Sequence, residues 1–254
     1  LPSVGNLIDQ MAIIDPAGAH AVRRDAARQI AAAHRTRLRE IHARLADGGR
    51  SLDATAMGRR ALKNAALSYL TEDPADDAAR AIAEAQALDD GALMTDRMAA
   101  LSIVVESTSP AKDRALAAFH TRFRADALVL DKWFALQAGA PSSGTPERAR
   151  ALAAHPDYSR QNPNRARSVT ASFGQINPVG FHTLGGEGYA FVADEVLAVD
   201  RLNPVLAAKL SIPLGRWQRV DPERREAMRA QLRRIASTEG LSRDVRELVD
   251  KALG

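Results

Sequence analysis

Along most of the chain, apolar residues recur every three or four positions with charged residues between them, the period of a helix with one buried face. After Asp15-Pro16 the apolar positions are Val22, Ala26, Ile30, Ala33, Leu38, Ile41 and Leu45, closing at Asp47-Gly48-Gly49. After Asp221-Pro222 they are Met228, Leu232 and Ile235, with Arg224, Arg225, Arg229 and Arg233 on other faces. "MGRRALKNAALSYL" (57–70) is amphipathic, and Gly58 in it is expected to allow a close helix contact. "ALVLDKWFALQ" (127–137) is apolar on more than one side and predicts a central, buried helix. Ser102-Ile103-Val104-Val105 has strand-like residues but follows the helical "TDRMAAL", so it is read as a helix end.

Helix starts are marked repeatedly. Asp15-Pro16, Asp73-Pro74, Ser109-Pro110, Thr145-Pro146, Asn162-Pro163, Asn177-Pro178, Asn203-Pro204 and Asp221-Pro222 each pair an N-capping side chain with a proline. Proline suits the first helical position because its missing N–H has no partner there anyway. About a dozen helices with short connections predict an all-α fold. Its expected form is an irregular α-solenoid, a HEAT/ARM-like array of helix pairs, built as a single helical domain over residues 1–254. "AGAPSSGTPE" (138–147) is the one linker-like stretch.

Composition narrows the function classes. Aromatic residues make up only 4% of the chain. There is no cysteine, so disulfides and thiolate zinc sites are excluded. No apolar run reaches the length of a membrane span. The N-terminus has no basic stretch leading into an apolar one, and it begins without methionine, as expected of a piece of a longer protein. The pI near 9.7 raises nucleic acid as a partner. Against that, 35 basic residues face 31 acidic ones, interleaved along the helices, and 30 of the basic residues are arginine in an alanine-rich chain. Coding bias explains that balance better than phosphate binding.

The catalytic census is mostly negative. The sequence holds no H-E-x-x-H, no G-x-x-x-x-G-K and no G-x-S-x-G. "GGEGY" (185–189) reads as a loop rather than a ligand cradle. His34 and His42 share one helix and read as partly exposed residues, not a metal site. His182 reads as a loop-capping histidine rather than a base. Asp131, Lys132 and Trp133 suggest an acid/base pair beside an aromatic, or more plainly an internal ion pair or a snorkelling lysine. "QNPNRARS" (161–168) places Arg165 and Arg167 near the positive end of a helix, where cations are disfavoured by some tenths of a kcal/mol. Residues two apart diverge by roughly 200°, so only one of these arginines can face a given cavity. The plain reading is ion pairs with neighbouring acids; the functional one is an arginine aimed at a carboxylate-bearing ligand.

"GRRALKNAALSYL", "TDRMAAL", "ALVLDKWFALQA", "NPNRARS", "INPVGFHTLGGEGYAFVAD" and "LNPVLAAKL" occur in this order. Together they resemble the C-terminal helical domain of the bacterial aminopeptidase N family, zinc metallopeptidases of the M1 class. The resemblance runs over nearly the whole chain. It implies a domain that performs no chemistry, lacks some N-terminal helices of the family's full domain, covers a catalytic domain and encloses a substrate cavity. It also implies that zinc is held by the catalytic domain of the same polypeptide, and that no cofactor belongs to this chain. The implied partners are that catalytic domain and peptide substrates, without nucleic acid or membrane, in the cytoplasm. Arg167 matches an arginine that points into the family's cavity, and Lys209 matches a basic residue on the same wall where arginine is expected. Lysine keeps the charge and loses the planar fork. The rival readings are a free-standing helical-repeat interaction module and an RNA-binding α-solenoid.

Overall fold

A computed structural model describes residues 1–46, 50–141 and 145–254. Every element among them is helical. In chain order the α-helices begin with α1 (Val4–Asp9), α2 (Pro16–Arg44), α3 (Ala54–Leu70), α4 (Asp77–Leu88) and α5 (Met94–Glu106). Then come α6 (Lys112–Phe123), α7 (Ala127–Gly139), α8 (Thr145–Ala153), α9 (Pro163–Ala171) and α10 (Pro178–Phe181). Last are α11 (Glu187–Asp200), α12 (Pro204–Ser211), α13 (Pro222–Ala236) and α14 (Arg243–Leu253). A π-helical turn (Ser172–Ile176) follows α9, and a 3-10 segment (Ile212–Arg219) follows α12. The all-α expectation holds. Val104 and Val105 lie inside α5, as their helical reading required.

The chain forms two compact units. The first holds Leu1 and Ala21–Asp126; the second holds Pro2–His20 and Ala127–Gly254. In the first, α3, α4, α5 and α6 pack on one another around Leu67, Leu101, Val105 and Phe119. Between them lies a buried polar knot. Lys63 Nζ donates to Asp96 at 2.6 Å, Asn64 donates to the same carboxylate at 2.7 Å, and Gln86 donates to Asn64 Oδ1 at 3.0 Å. Three helices are thereby held in one register, because each buried polar atom left unpaired would cost about 1–3 kcal/mol. Arginines of α2 grip the α3–α4 connection: Arg24 meets Glu72 at 2.9 Å, Arg39 meets Asp76 at 2.8 Å, and Arg35 meets Asp73.

In the second unit α11 is the central helix. Tyr189, Phe191, Val192, Val196 and Val199 are all buried. α7 is buried along Leu130, Trp133, Phe134 and Ala138, while Leu128 and Lys132 are exposed. α7 is thus buried along most of its length, as expected, and keeps one wet side at Leu128 and Lys132. Arg219 binds the carbonyls of Ile8, Asp9 and Met11, which anchors α1 to the 3-10 segment.

Most of the Asx/Ser/Thr-Pro signals open helices. Asn162, Asn177, Asn203 and Asp221 each accept a backbone N–H of the first turn, with proline following. Asp15 does the same for Gly18, and α8 begins at Thr145. Two signals open turns instead. Asp73 accepts from Ala75 N, and the cap of α4 is Asp76, which accepts from Ala79 N at 3.0 Å. Ser109 accepts from Ala111 N, donates to Glu84, and leaves α6 to start at Lys112.

Other expectations are corrected by packing. The buried stripe of α2 is Ala19, Ala27 and Ala31, and Val22 is 68% exposed. α2 also bends at His34, whose φ of -121° is non-helical. The closing Asp47-Gly48-Gly49 lies outside the described residues, as do residues 142–144 of the linker-like stretch. A Cβ added at Gly58 would meet no neighbouring element within 4 Å, so no helix packs closely there. The close contact belongs to Gly188, where an added Cβ would sit 2.4 Å from the Phe181 carbonyl oxygen.

These two glycines should respond oppositely to alanine. Gly58→Ala, in an exposed helix interior, should stabilise the chain by about 0.5–1 kcal/mol. Gly188→Ala should destabilise it by about 1–3 kcal/mol through overpacking against backbone. Urea denaturation midpoints check both signs.

Candidate functional site

Asn162 caps α9 by accepting from the backbone N–H of Asn164 at 3.0 Å and of Arg165 at 3.3 Å. The cap fixes where the next arginines point. Arg165 turns inward and is buried. Its Nε donates to Asp131, its Nη1 donates to the Asp157 carbonyl, and its Nη2 reaches the Ala127 carbonyl at 3.4 Å. The guanidinium lies 5.0 Å from the Phe134 ring centre. Asp131, two carbonyls and an aromatic face thus offset a cation at the positive end of a helix. The internal ion pair expected around Asp131 exists, but its cation is Arg165; Lys132 is exposed.

The offset along the helix leaves Arg167 exposed. α9 packs against α12, which carries Lys209 in its last turn, also exposed. Neither cation makes an ion pair or hydrogen bond among the described residues. Val205 lies four residues before Lys209 and Ile212 three residues after it, so all three share one side of the chain. Val205 is 56% exposed and Ile212 52%. The result is an apolar stripe with a cation at its centre, beside a helix carrying a second free cation. Lys209 also suits the negative end of the α12 dipole, so its charge has a local role whatever else it meets.

His182 follows α10 as its C-cap. The side chain is buried, with Nδ1 2.9 Å from the Tyr189 hydroxyl oxygen, and its backbone carbonyl accepts from Arg224 at 2.7 Å. Burial, aided by the Arg224 charge, pushes its pKa from 6.5 down to about 4. Burial likewise raises the Tyr189 phenol. The pair is a neutral hydrogen bond inside an aromatic cluster with Phe181. Gly185 and Gly186 have φ of 90° and 80°, the left-handed region that glycine enters freely, so "GGEGY" is a turn into α11. His34 is exposed at the α2 kink; His42 is half-buried, and desolvation lowers its pKa.

A second buried charge group carries no signal in the sequence. Glu195 of α11 is buried and accepts from Tyr158 Oη at 2.8 Å and from Arg160 Nη2 at 2.5 Å. Its hydrogen bonds raise the Arg160 pKa. The partners lie 35 and 37 residues away along the chain, beyond any local spacing rule.

Two experiments separate these roles. Arg165→Ala strands Asp131 and should cost about 3–5 kcal/mol of stability, whereas Arg167→Ala should change it by less than about 0.5 kcal/mol. Thermal melts of both variants read the difference. His182 supplies a pH signature. Its folded pKa lies below its unfolded one, so the unfolded chain binds more protons. Its contribution is whole above pH 6.5 and is lost as pH falls towards about 4. Within that window His182 should contribute a fall of up to about 1.4 kcal/mol per pH unit, and a His182→Gln variant should show a correspondingly shallower slope, keeping the smaller part that His42 adds with the same sign.

A family model described as "Domain of unknown function (DUF3458_C) ARM repeats" matches residues 1–254. Aminopeptidase N of Caulobacter vibrioides is 43% identical over the whole chain, and that of Escherichia coli is 33% identical, also over the whole chain. The chain spans 29% of the length of each. A crystal structure of Legionella pneumophila aminopeptidase A in complex with aspartic acid superposes with a TM-score of 0.91 at 31% identity, covering all of this chain and 30% of that one.

Proposed function

The chain belongs to the ARM-repeat family whose model spans all of its residues, and from that premise we infer that it is the non-catalytic C-terminal domain of a zinc aminopeptidase. In this reading residues 1–254 act as one helical domain beside the catalytic domain of the same polypeptide. The domain covers that catalytic part, shapes the internal substrate cavity and restricts entry to peptides in the cytoplasm. Zinc and the groups that cleave the peptide bond belong to the catalytic part, and this chain lends no residue to them.

The single observation that carries the reading is whole-chain similarity to under a third of each aminopeptidase N. The stripe of Val205, Lys209 and Ile212 supports it, because exposed aliphatic side chains around an unpaired cation suit a surface that another domain closes over. No helix among the described residues is long and apolar enough to cross a membrane.

Arg167 and Lys209 are the substrate-cavity residues of this proposal. Once a neighbouring domain removes water from them, each cation attracts a peptide's C-terminal carboxylate or acidic side chain more strongly than it could in bulk solvent. In the full-length enzyme, Arg167→Ala should weaken peptides that carry a free carboxylate by about 1.5–3 kcal/mol, the range of a charge-assisted hydrogen bond. Amide and anilide substrates, which lack that anion, should be unaffected. Lys209→Ala should show the same selectivity with a smaller effect, since an ammonium on a flexible stem is less pre-organised. Steady-state kinetics on matched acid and amide peptides decide it. Equal losses on both classes would overturn the assignment.

A further inference from the structure

The first unit contains a polar cleft that the proposed function does not use. Its volume is about 560 Å³, and its walls come from α2, the α3–α4 connection, α4 and the chain around the end of α5. A narrower recess of about 70 Å³ shares those walls and is floored by Ala83, Ile103 and Val104. The cleft is lined by many charges, and most are spoken for. Arg24 pairs with Glu72, Arg80 pairs with Asp77, and Glu84 accepts from Ser109.

Two charges are left over, one of each sign. Arg28 of α2 and Glu106 at the end of α5 make no ion pair or hydrogen bond among the described residues. Glu106 is poorly placed on electrostatic grounds. It is the last residue of its helix, where the dipole disfavours an anion. Although water still reaches it, the cleft walls crowd its carboxyl. Desolvation raises its pKa and the Glu72 charge adds to it, while the charges of Arg24, Arg23 and Lys112 oppose the shift without pairing with the carboxylate. An ammonium group in direct hydrogen-bond contact would offset the desolvation, the helix dipole and the Glu72 repulsion, against the more distant charges of Arg24, Arg23 and Lys112. A carboxylate on Arg28 would complete a ligand that carries one charge of each sign and an aliphatic side chain, which fits a polar cleft with a small apolar patch at Ala83, Ile103 and Val104.

We propose that this cleft binds a small zwitterion, a free amino acid or dipeptide with an aliphatic side chain. Its α-ammonium meets Glu106, its carboxylate meets Arg28, and its side chain enters the recess over Ala83, Ile103 and Val104. The site lies wholly within the first unit and contains neither Arg167 nor Lys209. It therefore stands or falls independently of the cavity assignment.

The test uses the full-length polypeptide with its catalytic site saturated by a competitive inhibitor, so that only sites elsewhere are read. Calorimetric titration is done with L-valine and with the dipeptide valyl-alanine, each alongside its C-terminal amide and its N-acetyl derivative. The expected result is one equivalent of valine or valyl-alanine bound per chain. Which of the two binds identifies the source. The amide and acetyl forms should bind at least about tenfold more weakly, as should Glu106→Gln and Arg28→Ala proteins with either zwitterion. Both substitutions are at exposed positions, and an unchanged circular dichroism spectrum confirms that they fold. No binding of either zwitterion at millimolar concentration overturns the proposal. So does binding that survives both substitutions, or binding that tolerates a blocked terminus.

Discussion

Alanine at the helix contacts is the constraint from which the rest of the structure follows. Ala27, Ala31, Ala66, Ala79, Ala83, Ala87 and Ala100 are all buried in the first unit. Such small side chains let helices approach closely, but each removes little apolar surface from water, and burial stabilises by only about 25 cal/mol per Å². Close helices with a thin apolar layer are poorly fixed in rotation. The Lys63–Asp96–Asn64–Gln86 knot supplies that fixing in the first unit. The second unit holds eight of the eleven aromatic residues, at positions 133, 134, 158, 173, 181, 189, 191 and 217. There the thicker apolar layer is organised by rings meeting edge to face, and the buried groups of Arg165 and Glu195 sit among them.

What could be read in the sequence was what depends on short spacings. The capping asparagines were legible because the cap, the proline and the first turn lie within four residues. So was the divergence of Arg165 and Arg167, which follows from helix geometry alone, although that geometry does not say which of the two turns inward. Asp73-Pro74 failed because a second acid, Asp76, stood three residues on and won the competition for the free N–H groups of α4. Ser109-Pro110 failed for a tertiary reason, since the serine hydroxyl is drawn to Glu84. Val22 was misplaced because valine counts as apolar in a periodicity, while the contact surface of α2 is made for alanine.

The proposed site residues divide in the same way. Arg167 and Lys209 were reached through blocks of sequence resembling a known family, and their exposure on packed helices became visible only in three dimensions. Val205 and Ile212 carry no signal of their own, because an exposed aliphatic residue looks like a core residue until the fold shows which side it is on. The cleft with Arg28 and Glu106 draws its walls from segments more than seventy residues apart in sequence, so no local pattern could have announced it.

The recurrent asparagine caps have a chemical consequence. Asparagine side chains age when the backbone nitrogen of the following residue attacks the side-chain amide and closes a succinimide ring, which opens to aspartate or isoaspartate. Asn162, Asn177 and Asn203 are each followed by proline, whose nitrogen carries no hydrogen and cannot make that attack. Asn177 has the most to lose: its amide nitrogen donates to the Ala138 carbonyl at 3.1 Å and the Ala140 carbonyl at 2.9 Å, where a carboxylate would be repelled. The proline that starts each helix therefore also protects the residue that caps it, and these helix starts are built to outlast the slow hydrolysis that erodes ordinary asparagines.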